Sequence, residues 1–371
     1  MNTTYYTTAP LTPPTEGHCE LQSDSVMLDR YRQLVDSQKI TWTEHHRFLK
    51  LLGAGGQGVV FLSERLGTDH FTLPVALKIF TPEPFSSPQA YDEAMARMAQ
   101  VAARVALIQQ DNLLDVRNFV ERNRIRVMEM EWVDGFDLSR LLSHAMLDAL
   151  KKKLDAPRWN YINNVIVTAG PTQARLKPGI AVAVLRECLA GLNALHRGKI
   201  VHGDIKPSNI MLKRTGNSKI IDIGSAFDLT QPPMRRACTP PYAAPEVLEG
   251  CDQTERSDLC SLGYVLIEML AGAPPFAGLK TYAELLEAKR TLPNRLHERL
   301  PRDLTCNDLL MNLIRGLIAP DPLRRFPSAE AADVLKEGAA GFQRQLVKGD
   351  LSSEYENEIR GWLRDLGDAQ F

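Results

Sequence analysis

The chain has 371 residues, a formal net charge of −1 and six cysteines, with 44% apolar and 24% charged residues. At roughly 150 residues per domain this length suggests two or three structural units, or one large two-part domain, and the apolar share excludes wholesale disorder. The near-zero charge argues against a protein whose main task is coating nucleic acid or anionic membrane, while a local basic groove stays open.

Residues 1–25 are rich in Thr, Pro and Ser around Thr12-Pro13-Pro14-Thr15 and read as a flexible tail. They carry no basic region followed by an apolar one, so they do not read as a signal peptide. From Val26 to Val35, the residues Leu28, Tyr31, Leu34 and Val35 recur at helical spacing and predict a short helix that packs on the domain C-terminal to it. Val59-Val60-Phe61-Leu62 and Val75-Ala76-Leu77-Lys78-Ile79-Phe80 read as strands, Gln89 to Gln109 as a long helix, and Arg124 to Met130 as another strand pair ending in a turn at Asp134-Gly135. Beyond that the signal is mostly helical. Ile180 to His196 carries an apolar stripe, and Leu259 to Leu270 is apolar almost all round, which predicts a buried helix. A strand-rich front and helix-rich back imply an α+β protein with two lobes. Residues 143–178, with Lys151-Lys152-Lys153 and a polar stretch from Asn160 to Thr172, read as an inserted segment. No run of about 18 apolar residues predicts a membrane span. Cys19, Cys188, Cys238, Cys251, Cys260 and Cys306 form no C-x-x-C pair, so neither a zinc cluster nor a disulfide framework is expected, and a soluble, cytoplasmic protein is the simplest reading.

Gly53-Ala54-Gly55-Gly56-Gln57-Gly58-Val59-Val60 fits G-x-G-x-x-G-x-V. Small residues let backbone N–H groups approach phosphate oxygens. Alone the motif is weak, and a chance glycine-rich turn produces it too. In a dinucleotide-binding fold a helix should come next, with an acid about 20 residues on. Here a strand comes next, which favours a lid over nucleotide phosphates and demands a lysine on the following strand. Lys78 supplies it. Buried in an apolar strand, it needs an anionic partner; as an edge residue it would simply face solvent. The partner expected on the next helix is Glu93, with Asp92 as its competitor.

His202-Gly203-Asp204-Ile205-Lys206-Pro207-Ser208-Asn209 holds a carboxylate, a lysine two residues later and an amide five residues later. Asp204 can orient a hydroxyl and accept its proton, Lys206 can stabilise charge on a transferring phosphoryl group, and Asn209 can ligate Mg²⁺. Thirteen residues after Asn209, Asp222-Ile223-Gly224 ends an apolar run and suits a hard cation.

Over roughly residues 46–337 the sequence resembles a eukaryotic-like (Hanks-type) serine/threonine protein kinase. The resemblance implies a bilobal α+β kinase fold: a small β-rich N-lobe with one main helix (about 46–133) and a larger helical C-lobe (about 137–337). An N-terminal extension (1–45), the insertion at 143–178 and a C-terminal helical tail (338–371) would flank or enlarge it. ATP and Mg²⁺ would sit between the lobes. ATP would contact Leu52, Gly53, Ala54, Gly55, Gly56, Gln57, Gly58, Val59, Val60, Ala76, Lys78, the hinge residues Glu131 and Val133 beside gatekeeper Met130, and Asp137 near the ribose, with Glu93 holding Lys78. Asp204, Lys206 and Asn209 would be catalytic, and Asn209 and Asp222 the metal ligands. Glu246 of Ala244-Pro245-Glu246 would pair with Arg325, and Asp258 would steady the catalytic loop. Partners would be protein substrates with Ser or Thr acceptors rather than nucleic acid.

Two departures stand out. Gly203 replaces the usual Arg that binds an activation-loop phosphate, and the segment from Asp222 to Glu246 is short, so activity independent of activation-loop phosphorylation is expected. Ile223 replaces the usual Phe. Lys206 and Cys238-Thr239-Pro240-Pro241-Tyr242 resemble the Ser/Thr-specific pattern. The rival class is a pseudokinase scaffold, disfavoured because Lys78, Asp204, Asn209 and Asp222 are all present. Thr12 and Thr15 are candidate autophosphorylation sites. Trp362, Leu363 and Leu366 suggest a tail helix packing on the helical lobe or binding a partner.

Overall fold

The computed structural model describes residues 9–10, 25–37, 39–40, 46–232, 237–348 and 355–368. These fall into two units, one from residues 25–109 and 114–133, the other from residues 9–10, 110–113 and 134–368. The expected tail and its Thr12 and Thr15 lie outside the described residues, save Ala9–Pro10 and Ser25.

The first unit is a six-stranded antiparallel sheet with one main helix. Its strands are β1 (Lys39–Ile40), β2 (His46–Gly55), β3 (Gly58–Leu66), β4 (Thr72–Phe80), β5 (Val116–Arg122) and β6 (Ile125–Glu131), in the order β1-β2-β3-β4-β6-β5. Helix α1 (Ser25–Asp36) buries Met27 and Leu34 and packs near β6. Strand β4 lies inside the sheet, and every residue from Val75 to Phe80 is buried. Helix α2 (Pro88–Val105) starts where its sequence says it should: Ser87 accepts a hydrogen bond from Ala90 N at 3.1 Å, and Pro88 takes the first turn, where its missing N–H costs nothing. Tyr91, Met95, Met98, Val101, Ala102 and Val105 form its buried stripe. The Tyr91 hydroxyl donates to Phe80 O at 3.2 Å and accepts from Arg126 N at 2.8 Å, fixing the helix phase against β4 and β6.

The second unit is mainly helical. It contains α3 (His144–Lys153), α4 (Ala156–Val165), α5 (Pro178–Arg197), α6 (Glu255–Ala271), α7 (Tyr282–Thr291), α8 (Asp308–Ile318) and α9 (Tyr355–Leu366). Helix α6 is buried without a break from Ser257 to Ala271, which explains its lack of an apolar stripe. Among the described residues α5 is the one helix long and apolar enough to cross a membrane, but it packs in this core against α6 and α9. A small sheet orders β11 (Ser218–Ile220), β10 (Ile210–Lys213) and β7 (Gly135–Asp137). Ala9–Pro10 pairs antiparallel with Ala237–Cys238.

The segment at 143–178, read as inserted, packs into this unit. It forms α3, α4 and a hairpin of β8 (Val167–Ala169) and β9 (Ala174–Leu176), and buries Met146, Leu150, Ile162, Ile166 and Leu176. Its polar look comes from the outer faces of two short helices. The three lysines occupy the last turn of α3, where cations suit exposed carbonyls. Helix α9 lies against α3 and α5, burying Ile359, Trp362, Leu363 and Leu366. Arg158 Nε reaches Asp365 at 2.7 Å, and the Tyr161 hydroxyl donates to Glu358 at 2.6 Å.

Candidate active site

In the first unit the glycine motif is the tip of the β2–β3 hairpin, with Gly53 opposite Val60, Ala54 opposite Val59 and Gly55 opposite Gly58. A strand-to-strand loop excludes the dinucleotide reading, which needs a helix next. Gly58 is forced by the fold: φ is +134°, and a Cβ would lie 1.9 Å from Ile79 O. Gly53, Gly55 and Gly56 differ. Apart from their chain neighbours, no protein atom lies within 4 Å of where their Cβ atoms would stand, so internal packing does not explain their smallness. Leu52 and Ala54 are exposed, Val59 and Val60 half-buried, and Ala76 is buried on β4 opposite Leu62 and Met130.

Lys78 is buried between Val60 and Met128 on the neighbouring strands. Its Nζ donates to Gln57 Oε1 at 2.7 Å and stands 5.3 Å from the Phe80 ring centroid. The main chain of Gln57 is tied as well, accepting from Thr81 N at 3.1 Å. The carboxylate expected from α2 is not delivered to this lysine. Glu93 is exposed and accepts from Gln89 Nε2 at 3.1 Å, while Asp92 pairs with Arg124 at 2.6 Å and Arg126 at 3.0 Å. The reason is helix phase. Glu93 lies two residues before Met95, and about 200° of turn puts it on the opposite face. The expected hinge carries buried Met130 and Val133, with Glu131 tied to Asp115 by Asp115 N donating to Glu131 Oε1 at 2.7 Å.

In the second unit Asp204 is buried among three polar neighbours. The Thr239 hydroxyl donates to its Oδ1 at 2.6 Å, and Lys206 Nζ donates to its Oδ2 at 2.6 Å and to Thr239 Oγ1 at 3.1 Å. A hydroxyl has one proton to give, so these contacts orient Thr239 completely. Asn209 Nδ2 donates to Asp204 O at 2.8 Å, so its amide oxygen is the atom that could serve as a hard ligand. Ile221 N donates to Asn209 O at 2.8 Å, so Asn209 and Asp222 lie on adjacent segments of the chain. Asp222 holds a left-handed φ of +63° and accepts from Gly224 N at 3.0 Å. Ile223 is fully buried, an apolar residue filling an apolar place.

Asp258 supports this loop from α6. Its carboxylate accepts from His202 N and Gly203 N, each at 2.9 Å, and lies 2.9 Å from His196 Nε2. Gly203 has φ of +79°, and a Cβ there would stand 2.9 Å from Ser225 O. Gln253 Nε2 donates to its carbonyl at 2.9 Å. Glu246 and Arg325 form a buried two-bond pair at 2.7 Å on each arm. Asp137 caps the short helix Leu138–Leu141, accepting from Arg140 N at 3.1 Å and from the Ser139 hydroxyl, and burial raises its pKa.

Several contacts had no sequence signal: Gln57 on Lys78, Gln253 on Gly203, and Lys289. Lys289 is fully buried, lies 4.1 and 4.0 Å from the Tyr264 and Phe276 ring centroids, and donates to Pro241 O at 2.7 Å. Burial pushes its pKa down to about 7.

A carboxylate, a lysine and a hydroxyl are thus bonded together on the loop that also carries Asn209, whose main-chain carbonyl is bonded to the residue before Asp222. The chain matches the protein kinase domain over residues 46–336 and belongs to that family. It is 29% identical over 235 residues to the serine/threonine-protein kinase PknD of Mycobacterium tuberculosis, covering 62% of this chain and 30% of that protein. It is 26% identical over 292 residues to PrkC of Bacillus subtilis (77% and 39%) and 27% over 312 residues to PknA of Corynebacterium glutamicum (82% and 57%). The chain thus spans less than two thirds of each of these relatives.

Proposed function

We propose that the chain transfers the γ-phosphoryl group of ATP to Ser or Thr hydroxyls of protein substrates, itself included. The observation that carries this reading is the Asp204–Thr239–Lys206 triangle, with all three contacts within 3.1 Å. Asp204 is the acceptor for the substrate hydroxyl proton, and Lys206 offsets charge on the phosphoryl oxygens. The backbone of Gly53, Gly55 and Gly56 covers the phosphates, and Lys78 binds them. Ala76, Val60 and the Glu131–Val133 strand end supply the adenine surface.

Asn209 and Asp222 would hold Mg²⁺, which supplies charge neutralisation at the phosphates. The donor set fits. Among the described residues no cluster of three or more His, Cys, Asp or Glu side chains forms a complete cage. Mg²⁺ at kinase sites is bound by one or two protein oxygen ligands together with substrate phosphates.

Activity does not require activation-segment phosphate in this reading. Two observations support it. Gly203 offers no guanidinium, and the Thr230 hydroxyl donates to Asp228 at 2.8 Å, so a phosphate there would meet a carboxylate.

A nucleotide-binding scaffold is the second reading, favoured by one observation: α2 brings Lys78 no carboxylate. Incorporation of labelled phosphate from Mg-ATP into the chain and a generic basic protein separates the two. Transfer that disappears in Asp204→Asn supports the kinase; no transfer by the parent chain supports the scaffold.

A further inference from the structure

We propose that Gln57, at the tip of the glycine hairpin, is the positioning residue for Lys78 and takes the place of a helix carboxylate. This rests on the kinase reading above and specifies how its nucleotide half works. Three observations converge. Lys78 Nζ donates to Gln57 Oε1 at 2.7 Å. Gln57 is itself anchored, because Thr81 N donates to its carbonyl at 3.1 Å, so the amide is held by the same hairpin that would cover phosphates. The face of α2 that packs inward is Met95, Met98, Val101 and Ala102, with its acids elsewhere: Glu93 exposed on Gln89, and Asp92 on two arginines.

An ammonium has three protons to donate. One goes to the Gln57 amide, which aims the lysine at the hairpin that would cover the phosphates. A carboxylate oxygen in the same place could accept the same proton, so the orienting contact needs an acceptor at position 57 rather than an amide as such. Lysine orientation is then set by the hairpin rather than the helix, so hairpin closure and lysine placement become one event. The contact serves bound nucleotide before and during transfer, so its loss raises KM more than it lowers kcat.

The test compares Gln57→Ala, Gln57→Glu and Glu93→Gln with the parent. The readouts are steady-state kinetics and titration with a fluorescent ATP analogue, after thermal melts show the folds intact. Expected are an approximately tenfold weaker analogue Kd and higher KM in Gln57→Ala, the size of one charge-assisted hydrogen bond. Gln57→Glu should return both to within about threefold of the parent, and Glu93→Gln should leave both within about twofold. A Gln57→Ala protein that binds as tightly as the parent, or more tightly, overturns the proposal. So does a Glu93→Gln protein that loses affinity as Gln57→Ala should. The titration needs no turnover. A parent that binds the analogue but transfers no phosphate would sink the kinase reading while the Gln57 comparison still decides this one.

Discussion

The two lysines assigned to phosphate are held in opposite ways. In the helical unit, Lys206 is bonded to a carboxylate and a hydroxyl from two loop segments, and Asp258 of the buried helix α6 holds the first of these loops through two backbone N–H groups. In the sheet unit, Lys78 is held by a neutral amide on a hairpin tip. The first loop is anchored to a buried helix by Asp258; the second contact sits at the tip of a hairpin. Changes in the helical unit should therefore appear in kcat or global stability, and changes in the sheet unit in nucleotide binding.

The largest expected effect is on Asp204. Asp204→Asn should lower kcat by about 10²- to 10⁴-fold with little change in KM for ATP, measured under saturating Mg-ATP. Lys78→Met should show the converse pattern, with KM dominating. Equal losses in the same parameter would break the contrast. Next is Arg325→Met, which strands buried Glu246. Urea unfolding should report a loss of about 3–5 kcal/mol. Thr239→Ala removes a hydrogen bond to a charged group and should cost roughly 1.5–3 kcal/mol of transition-state stabilisation, whereas Thr239→Ser should keep most activity. Gly203→Arg should destabilise the chain by about 1–2 kcal/mol. The position has φ of +79° and Ser225 O within 2.9 Å of any Cβ. The smallest effect should be at Thr230: Thr230→Ala should keep parental activity, and a major loss together with phosphate mapped to Thr230 would contradict independence from activation-segment phosphate.

The sequence was most informative where chemistry is packed into one short stretch. Asp204, Lys206 and Asn209 share a loop, and Asp222 comes at fixed spacing through the β10–β11 hairpin, so chain order alone brings them together. The Glu93 pairing needed the rotational phase of α2. That phase is set by Tyr91 bonding to Phe80 and Arg126, contacts no local pattern reveals. Gln57 was visible only as a loop residue, because its bond to Lys78 comes from the curl of the hairpin. Lys289 sits in a helix beside Arg290 and reads as a surface position. It is buried because the Tyr264 and Phe276 rings and the Pro241 carbonyl replace its water.

The match to the kinase family stops at residue 336, yet the second unit does not. Trp362 and Leu363 of α9 are fully buried, and a Cβ on Gly179 at the start of α5 would stand 2.3 Å from the Tyr355 ring, which would have to shift to admit it. The receiving helix is thus shaped for the terminal one. A recombinant fragment cut at the family boundary would expose the groove that Trp362 fills, and would be expected to aggregate on expression where the chain carrying α9 stays in solution.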